Sequence, residues 1–281
     1  VVEKINTLKS LRVLVIGETI LDKYDFTTSL AGKPPKGNHV AVKFLSEEVH
    51  AGGILAAANH LANFCGEVEL VTAVGNDISE DFIKSKLKPN INLYLHRQEA
   101  PTIVKTRFVN QTFLNKQFEV YFIDDRPSAA LEKQLKPNLI KIFEKVNGHC
   151  NLVLVLDYGH GLMTPALINL VCSQGKFLAV NAQTNAANMG FNHITKYKRV
   201  NYFCLDDREL RLAFQNNFID ISILIKRLAK QIVLPGGVAV TRGHLGAITY
   251  NPESRKFFEA PILSQNIVDT TGAGDAFLAL T

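Results

Sequence analysis

The chain has 281 residues, 47% of them hydrophobic and 20% charged, with a formal net charge of +5. That composition is ordinary for a globular protein, and the length suits one large α/β domain. Lys and Arg are scattered and Trp is absent, so the excess charge reads as mild attraction for anionic small molecules, and no nucleic-acid partner is expected.

In chain order, Leu11–Gly17 is a short apolar run ending in Gly, which predicts a buried strand, with Glu18 and Asp22 just past it. Residues 32–38 hold Pro and Gly and predict a loop, and Val40–Leu45 an exposed strand. Ala51-Gly52-Gly53 opens an Ala- and Leu-rich run to Phe64, spaced for a buried helix. A strand is expected over Val68–Val74, a helix over 78–87 and a strand over Ile91–Leu95. Thr102–Val109 and Phe118–Phe122 alternate charged and apolar residues, the pattern of strands with one wet face. They predict an antiparallel ribbon joined by Val40–Leu45, a lid with strands near 38–49 and 101–124.

From residue 128 helices and apolar strands alternate again. Helices are expected over Leu131–Val146, from Pro165 at a first turn, and over Ile221–Gln231. Strands are expected over Leu152–Leu156, Phe177–Val180, Val200–Phe203 and Val238–Val240, with a closing hairpin of Leu245–Tyr250 and Lys256–Ala260. The fold class is therefore α/β, a doubly wound and mainly parallel sheet with a small β-strand lid, in a single domain over 1–281. Cys65, Cys150, Cys172 and Cys204 form no C-x-x-C pair and lie in or beside apolar runs. With no signal-peptide layout at Val1–Lys4 and no apolar run of membrane-spanning length, a cytoplasmic protein with reduced thiols and no membrane partner is expected.

Polar residues gather just past strand ends: Glu18, Asp157, Asn181, Asp206 and Thr241-Arg242-Gly243. That rim is where ligands bind in open α/β sheets. Near the end of the chain, Gly272-Ala273-Gly274 feeds an apolar helix, and Asp275 follows at once. A small-residue loop at a helix start is an anion site, because free N–H groups and the helix dipole face the ligand. A carboxylate there makes sense if it takes a proton from a hydroxyl that attacks a bound phosphate. Lys105 and Arg107 could grip a phosphate on the substrate.

Asp269-Thr270-Thr271-Gly272-Ala273-Gly274-Asp275, Gly52-Gly53 before the Ala-rich helix, and Thr241-Arg242-Gly243-His244-Leu245-Gly246 resemble the signatures of the ribokinase-like (PfkB) carbohydrate kinases. Gly17–Tyr24 and Asp157-Tyr158-Gly159-His160-Gly161 look more specifically like the heptose 7-phosphate kinase domain of ADP-heptose synthases. The resemblance covers nearly the whole chain and implies an ATP- and Mg²⁺-dependent sugar kinase, with a monovalent cation in many relatives and a homodimer formed through the lid. It makes Asp275 the base and Gly272, Ala273 and Gly274 the anion hole. Asp22, Gly52 and Gly53 would hold the sugar, with Asn59, Lys105, Arg107, Asp157 and Asn181 as further substrate contacts. Thr241, Gly243, Gly246 and Thr271 would bind the nucleotide, and Asp206 and Glu209 would stand at an N-x-x-E motif tied to Mg²⁺.

Three residues depart from the pattern: Ala56 stands where a sugar-binding Asn is usual, Asn181 replaces an Asp, and Asp206 replaces an Asn. The sequence stops at Thr281, where the resemblance implies further helical turns walling the nucleotide pocket. Each site residue also has a plainer reading. Asp275 could serve a helix dipole, Gly52-Gly53 a tight turn, Asp22 a loop, and Asp206 and Glu209 a capped helix start; Lys105 and Arg107 could be ordinary strand charges. Two other functions remain open, a non-catalytic sugar- or nucleotide-binding module and one half of a fused kinase–nucleotidyltransferase. A dinucleotide oxidoreductase lacks its G-x-G-x-x-G after the first strand.

Overall fold

The computed structural model describes residues 7–30, 40–123, 128–174, 176–264 and 272–281. The loop expected over 32–38 lies outside them, as do Asp269, Thr270 and Thr271. In chain order the elements are β1 (Arg12–Gly17), β2 (Thr19–Ser29), β3 (Val42–Gly53), α1 (Ile54–Leu61), β4 (Glu67–Gly75), α2 (Glu80–Ser85) and β5 (Ile91–Gln98). Then follow β6 (Ile103–Asn110), β7 (Asn115–Phe122), α3 (Ser128–Asn147), β8 (Leu152–Asp157), α4 (Pro165–Ser173) and β9 (Phe177–Ala182). The chain continues through β10 (Tyr202–Asp206), α5 (Asp207–Ala213), α6 (Ile221–Gln231), β11 (Gly237–Thr241), β12 (Ala247–Asn251), β13 (Lys256–Ala260) and α7 (Ala273–Leu280).

The main sheet has nine strands in the order β13-β12-β11-β10-β9-β8-β1-β4-β5. It is parallel from β11 to β5, and the antiparallel hairpin β12–β13 closes one edge. Because side chains alternate along a strand, Leu14 and Ile16 of β1 enter one hydrophobic cluster and Val13 and Val15 the other. The first cluster includes Phe143 of α3, Leu167 of α4 and Leu224 of α6; the second includes Ile54 and Leu55 of α1 and Leu278 of α7. Both faces are thus covered, as a parallel sheet requires. Gly17 is needed where β1 meets β8: a Cβ there would lie 2.0 Å from the Leu156 carbonyl oxygen.

The lid is a second sheet of four strands in the order β3-β2-β6-β7. The expected ribbon is present, but it has one strand more than the sequence reading gave. Residues 19–29 form β2, which pairs antiparallel with β3 and parallel with β6. Asp22 therefore sits on a strand, not in a loop after β1. β3 also runs further than expected, so Gly52-Gly53 ends a strand that passes directly into α1. Burial explains the miss: β2 is interior only at its first residues and again at Asp25 and Thr27, which breaks a simple in–out pattern.

Gly17→Ala should force β1 and β8 apart. A loss of about 2–3 kcal/mol is expected, read as a lower urea midpoint at unchanged slope.

Candidate active site

Among the described residues no side chain caps α7: Gly272 occupies the N-cap position with a left-handed φ of 77°, and none of them stands within 4 Å of where its Cβ would be. Its first-turn N–H groups therefore carry no capping side chain, and the positive end of the helix is left toward the cavity. Asp275 lies in that first turn and is only 8% exposed. Its Oδ1 accepts two hydrogen bonds, from the Tyr158 hydroxyl at 2.9 Å and from Gln183 Nε2 at 2.8 Å. Among the described residues nothing bonds Oδ2. Burial pushes the Asp275 carboxyl up to about 6, while the two donors and Lys105 pull it down and Asp22 adds to the rise. The result is a carboxylate with one fixed oxygen, one available oxygen and a basicity suited to proton abstraction near neutral pH.

Above Asp275 the lid encloses a cavity of about 510 Å³. Asp22, Tyr24, Lys105 and Arg107 line it from β2 and β6, Gly52 and Gly53 from the end of β3, and Ala56 and His60 from α1. Arg107 is buried and ion-paired to both Asp22 and Glu119, the latter at 2.8 Å, and lies 5.4 Å over the Tyr24 ring. Its charge is thus spent within the lid, where it fixes Asp22. Gly52 makes room for that carboxylate, since a Cβ would stand 2.0 Å from Asp22 Oδ2. Lys105 has no carboxylate partner among the described residues. Its ammonium lies 5.5 Å over Tyr121 and 5.9 Å over Tyr158, and burial pushes its pKa down. The cavity therefore presents one ammonium without an ion-pair partner among the described residues, with Asp22 and Asp275 near enough to act on it.

Other expected site residues lie elsewhere. Asn59 does not reach the cavity; its amide donates to the Lys86 carbonyl at 2.8 Å and accepts from Lys88 N at 3.0 Å, tying α1 to the segment after α2. Asp157 is buried and accepts from Tyr197 at 2.6 Å, Asn192 at 3.1 Å and Gly159 N at 3.1 Å, with Lys196 at 2.5 Å. Those partners make it an internal anchor. Asn181 is buried and donates to the Cys204 carbonyl at 2.8 Å, bridging β9 to β10. Ala273 and Gly274 form the first turn of α7 beside Gly272. Thr241 ends β11 with its hydroxyl 3.3 Å from the Leu205 carbonyl. Gly243 has φ 54° and open space where a Cβ would stand, whereas Gly246 is close-packed, with a Cβ position 2.0 Å from the Ala260 carbonyl oxygen. Gly243 is shaped for a ligand's approach and Gly246 for packing the β12–β13 hairpin.

Asp206 and Glu209 form a capping box at the start of α5. Asp206 Oδ1 accepts from Arg208 N and Glu209 N, and Glu209 accepts from Thr184 N and Asp206 N with its two oxygens. Burial pushes the Glu209 carboxyl up to about 7. Glu209 thus does not fit direct cation ligation, because both oxygens already serve backbone donors. Asp206 keeps Oδ2 and lines, with Thr184 and Arg208, a second cavity of about 570 Å³. No group of three or more metal-ligating side chains occurs among the described residues. Among the described residues lining this cavity, Asp206 is the carboxylate with an oxygen free of backbone donors, which suits a divalent cation held through water and ligand phosphate oxygens.

The sequence reading missed the two residues that hold Asp275. Strand parity could have found them. Leu154, Leu156 and Tyr158 share one face of β8, that of Leu278 and α7, while Val153 and Val155 face the other cluster. Continuing the same two-residue period past Ala179 and Asn181 in β9 reaches Gln183.

The fold is ribokinase-like. Its solved neighbours include Arabidopsis thaliana ribokinase complexed with ribose and ATP, at TM-score 0.66 and 16% identity over 96% of this chain and 84% of that one. Escherichia coli phosphofructokinase-2 in complex with substrates and products superposes at TM-score 0.68 and 15% identity, over 96% and 84%. The pfkB family carbohydrate kinase profile matches residues 10–280, and the chain belongs to that family. Similar curated relatives are the bifunctional protein HldE of Nitratiruptor sp., 24% identical over 95% of this chain and 55% of the relative, and that of Campylobacter jejuni, 24% identical over 96% and 55%. The chain spans about half the length of these relatives. No helix among the described residues is long and apolar enough to cross a membrane.

The raised Asp275 pKa has a stability consequence. Because the folded value of about 6 lies above the ordinary 3.8, the favourable contribution of this carboxyl is complete below about pH 4 and is lost as pH rises through 6. Asp275→Asn keeps an acceptor for Tyr158 and Gln183 without the buried charge. It should stabilise the fold at pH 8 by on the order of 1–3 kcal/mol and leave it unchanged near pH 4, as read by urea denaturation at both pH values.

Proposed function

We propose that this chain transfers the γ-phosphoryl group of ATP to a hydroxyl of a sugar phosphate, with Asp275 as the base. The observation that carries the reading is Asp275 itself, a buried carboxylate with one oxygen tied by Tyr158 and Gln183 at the uncapped start of α7. Oδ2 accepts the proton of the acceptor hydroxyl as the oxygen attacks phosphorus. The N–H groups behind Gly272, Ala273 and Gly274 stabilise charge on the phosphoryl oxygens in transit. Asp22, clamped by Arg107, and the backbone of Gly52-Gly53 at the cavity wall orient the sugar. ATP phosphates fit beside Thr241 and Gly243, and bound Mg²⁺ would neutralise their oxygens through water near Asp206.

Lys105 favours an anionic acceptor, because among the described residues it lines the cavity without an ion-pair partner, unlike Arg107. Ala56 supports a larger acceptor, since its small side chain leaves room inside the 510 Å³ cavity. With HldE proteins among the relatives, our specific reading is a heptose 7-phosphate phosphorylated at its anomeric hydroxyl, by a chain that carries one of two activities. Dimerisation through the lid belongs to the same proposal.

Coupled ADP release should appear with heptose 7-phosphate and far less with unphosphorylated sugars. Release with unphosphorylated sugars alone would remove the sugar-phosphate reading. Calorimetric binding without release for any acceptor would make the chain a binding module. Asp275→Asn should fold and lower kcat about 100- to 10,000-fold. Lys105→Met should raise KM for the sugar phosphate about 10- to 100-fold while leaving KM for ATP unchanged.

A further inference from the structure

Glu18 is buried at the single-residue junction between β1 and β2. Its carboxylate faces the loop that follows β8. Oε2 accepts from the backbone N–H of Tyr158 at 3.0 Å, and Oε1 from that of His160 at 3.1 Å. Its own carbonyl accepts from Ile54 N, the first amide of α1, at 3.2 Å. One residue thus joins the main sheet, the lid root, α1 and the β8 loop. The loop is held from the other side by amides: Asn185 and Asn188 donate to the Tyr158 carbonyl, and Asn188 and Asn192 to that of Gln183. Between these grips stands the Tyr158 phenol, bonded to Asp275.

We propose that Glu18 is a positioning residue for phosphoryl transfer, its carboxylate gripping the Tyr158 and His160 amides so that the Tyr158 hydroxyl reaches Asp275 Oδ1 and turns Oδ2 toward the acceptor. The inference rests on the reading of Asp275 as base. A buried carboxylate is costly unless its oxygens are bonded, and a loop needs no such anchor merely to turn. Leucine or glutamine could fill the same volume. What the carboxylate adds is two acceptors on one rigid plane, matched to two amides two residues apart. Gly159 between them takes φ 74°, a left-handed conformation that brings both N–H groups to one side. A Cβ there would press within 2.7 Å of Asn188 Nδ2.

The groups that set the local electrostatics are few. Asp157 and Lys196 act on Glu18; Lys105, Asp22, Tyr158 and Gln183 act on Asp275. The Tyr158 bond holds the Asp275 carboxyl down. Loss of that bond must raise it. Burial and Asp157 push the Glu18 carboxyl up to about 7, so loss of its charge alone would lower the Asp275 value or leave it unchanged, and would not raise it. The sign of the change therefore separates positioning from simple Coulomb interaction.

The test follows the Asp275 carboxyl by ¹³C NMR titration in the ligand-free protein, assigned by the signal missing from Asp275→Asn. Glu18→Gln replaces one acceptor with an NH₂ that meets an amide N–H, donor against donor. It should raise the Asp275 pKa by about half a unit or more, in the direction seen for Tyr158→Phe, and should add nothing in a Tyr158→Phe background. An unchanged or lowered pKa, or an equal shift in both backgrounds, overturns the proposal. If Glu18→Gln does not fold, the wild-type protein decides. Its Tyr158 and His160 amide signals should titrate with the Glu18 carboxyl, and amides that ignore that titration overturn the proposal. Asp275→Asn turnover stands as a separate control: near-normal phosphoryl transfer by that variant removes the base assignment, whatever Glu18 does.

Discussion

Asp275 sits under the lid with little access to water, and two neutral donors on Oδ1 offset part of the cost of its charge there. A full ion pair would quench its basicity, and no donor at all would leave it protonated. Tyr158 and Gln183 give an intermediate answer. They come from the ends of β8 and β9, neighbours in the sheet, and the asparagines at 185, 188 and 192 knit the two following loops together. Much of the order at the carboxyl edge of the sheet can be understood as what is needed to keep one acid ionisable in a dry place.

The two cations of β6 have different fates for the same reason. Arg107 faces Asp22 and Glu119 and builds structure. Lys105, two residues earlier on the same strand face, is left over aromatic rings. A planar guanidinium suits paired carboxylates, whereas an ammonium on a flexible stem is the better point charge for a ligand that comes and goes. The cavity wall is thus tied by an ion pair at Asp22 and left without one at Lys105 among the described residues.

The large-scale fold was legible because its signals are periodic. Buried parallel strands such as β1 and β8 read as continuous apolar runs, and α6 alternates its faces clearly. β2 was not legible. Asp25 and Thr27 are buried in it while Lys23 and Asp22 stay partly open, so polarity and burial do not track each other. In the site, the glycines and Asp275 were readable from spacing. Asp157 and Asn181 were singled out because they are polar at strand ends, yet their side chains are used internally. Asp206 and Glu209 carry the spacing of a capping box as well as that of a cation motif, and the structure shows the box formed. Type and position do not reveal which way a side chain's hydrogen bonds are already committed.

Every lid strand is fastened to the main domain at the same end. β2 starts beside the point where β3 finishes, β6 starts opposite Ile20, and β7 finishes opposite Val104. The opposite end, where Ser29 pairs with Val42 and Asn110 with Asn115, projects roughly 30 Å away at about 3.3 Å per residue. The lid is a cantilever clamped at its root. In a cantilever, deflection grows with distance from the clamp, so Asp22, Gly52 and Lys105 near the root move least while Ser29, Val42, Asn110 and Asn115 at the far end move most. The cavity-lining residues Asp22, Gly52 and Lys105 thus occupy the stiff root, where their geometry is fixed by the main domain.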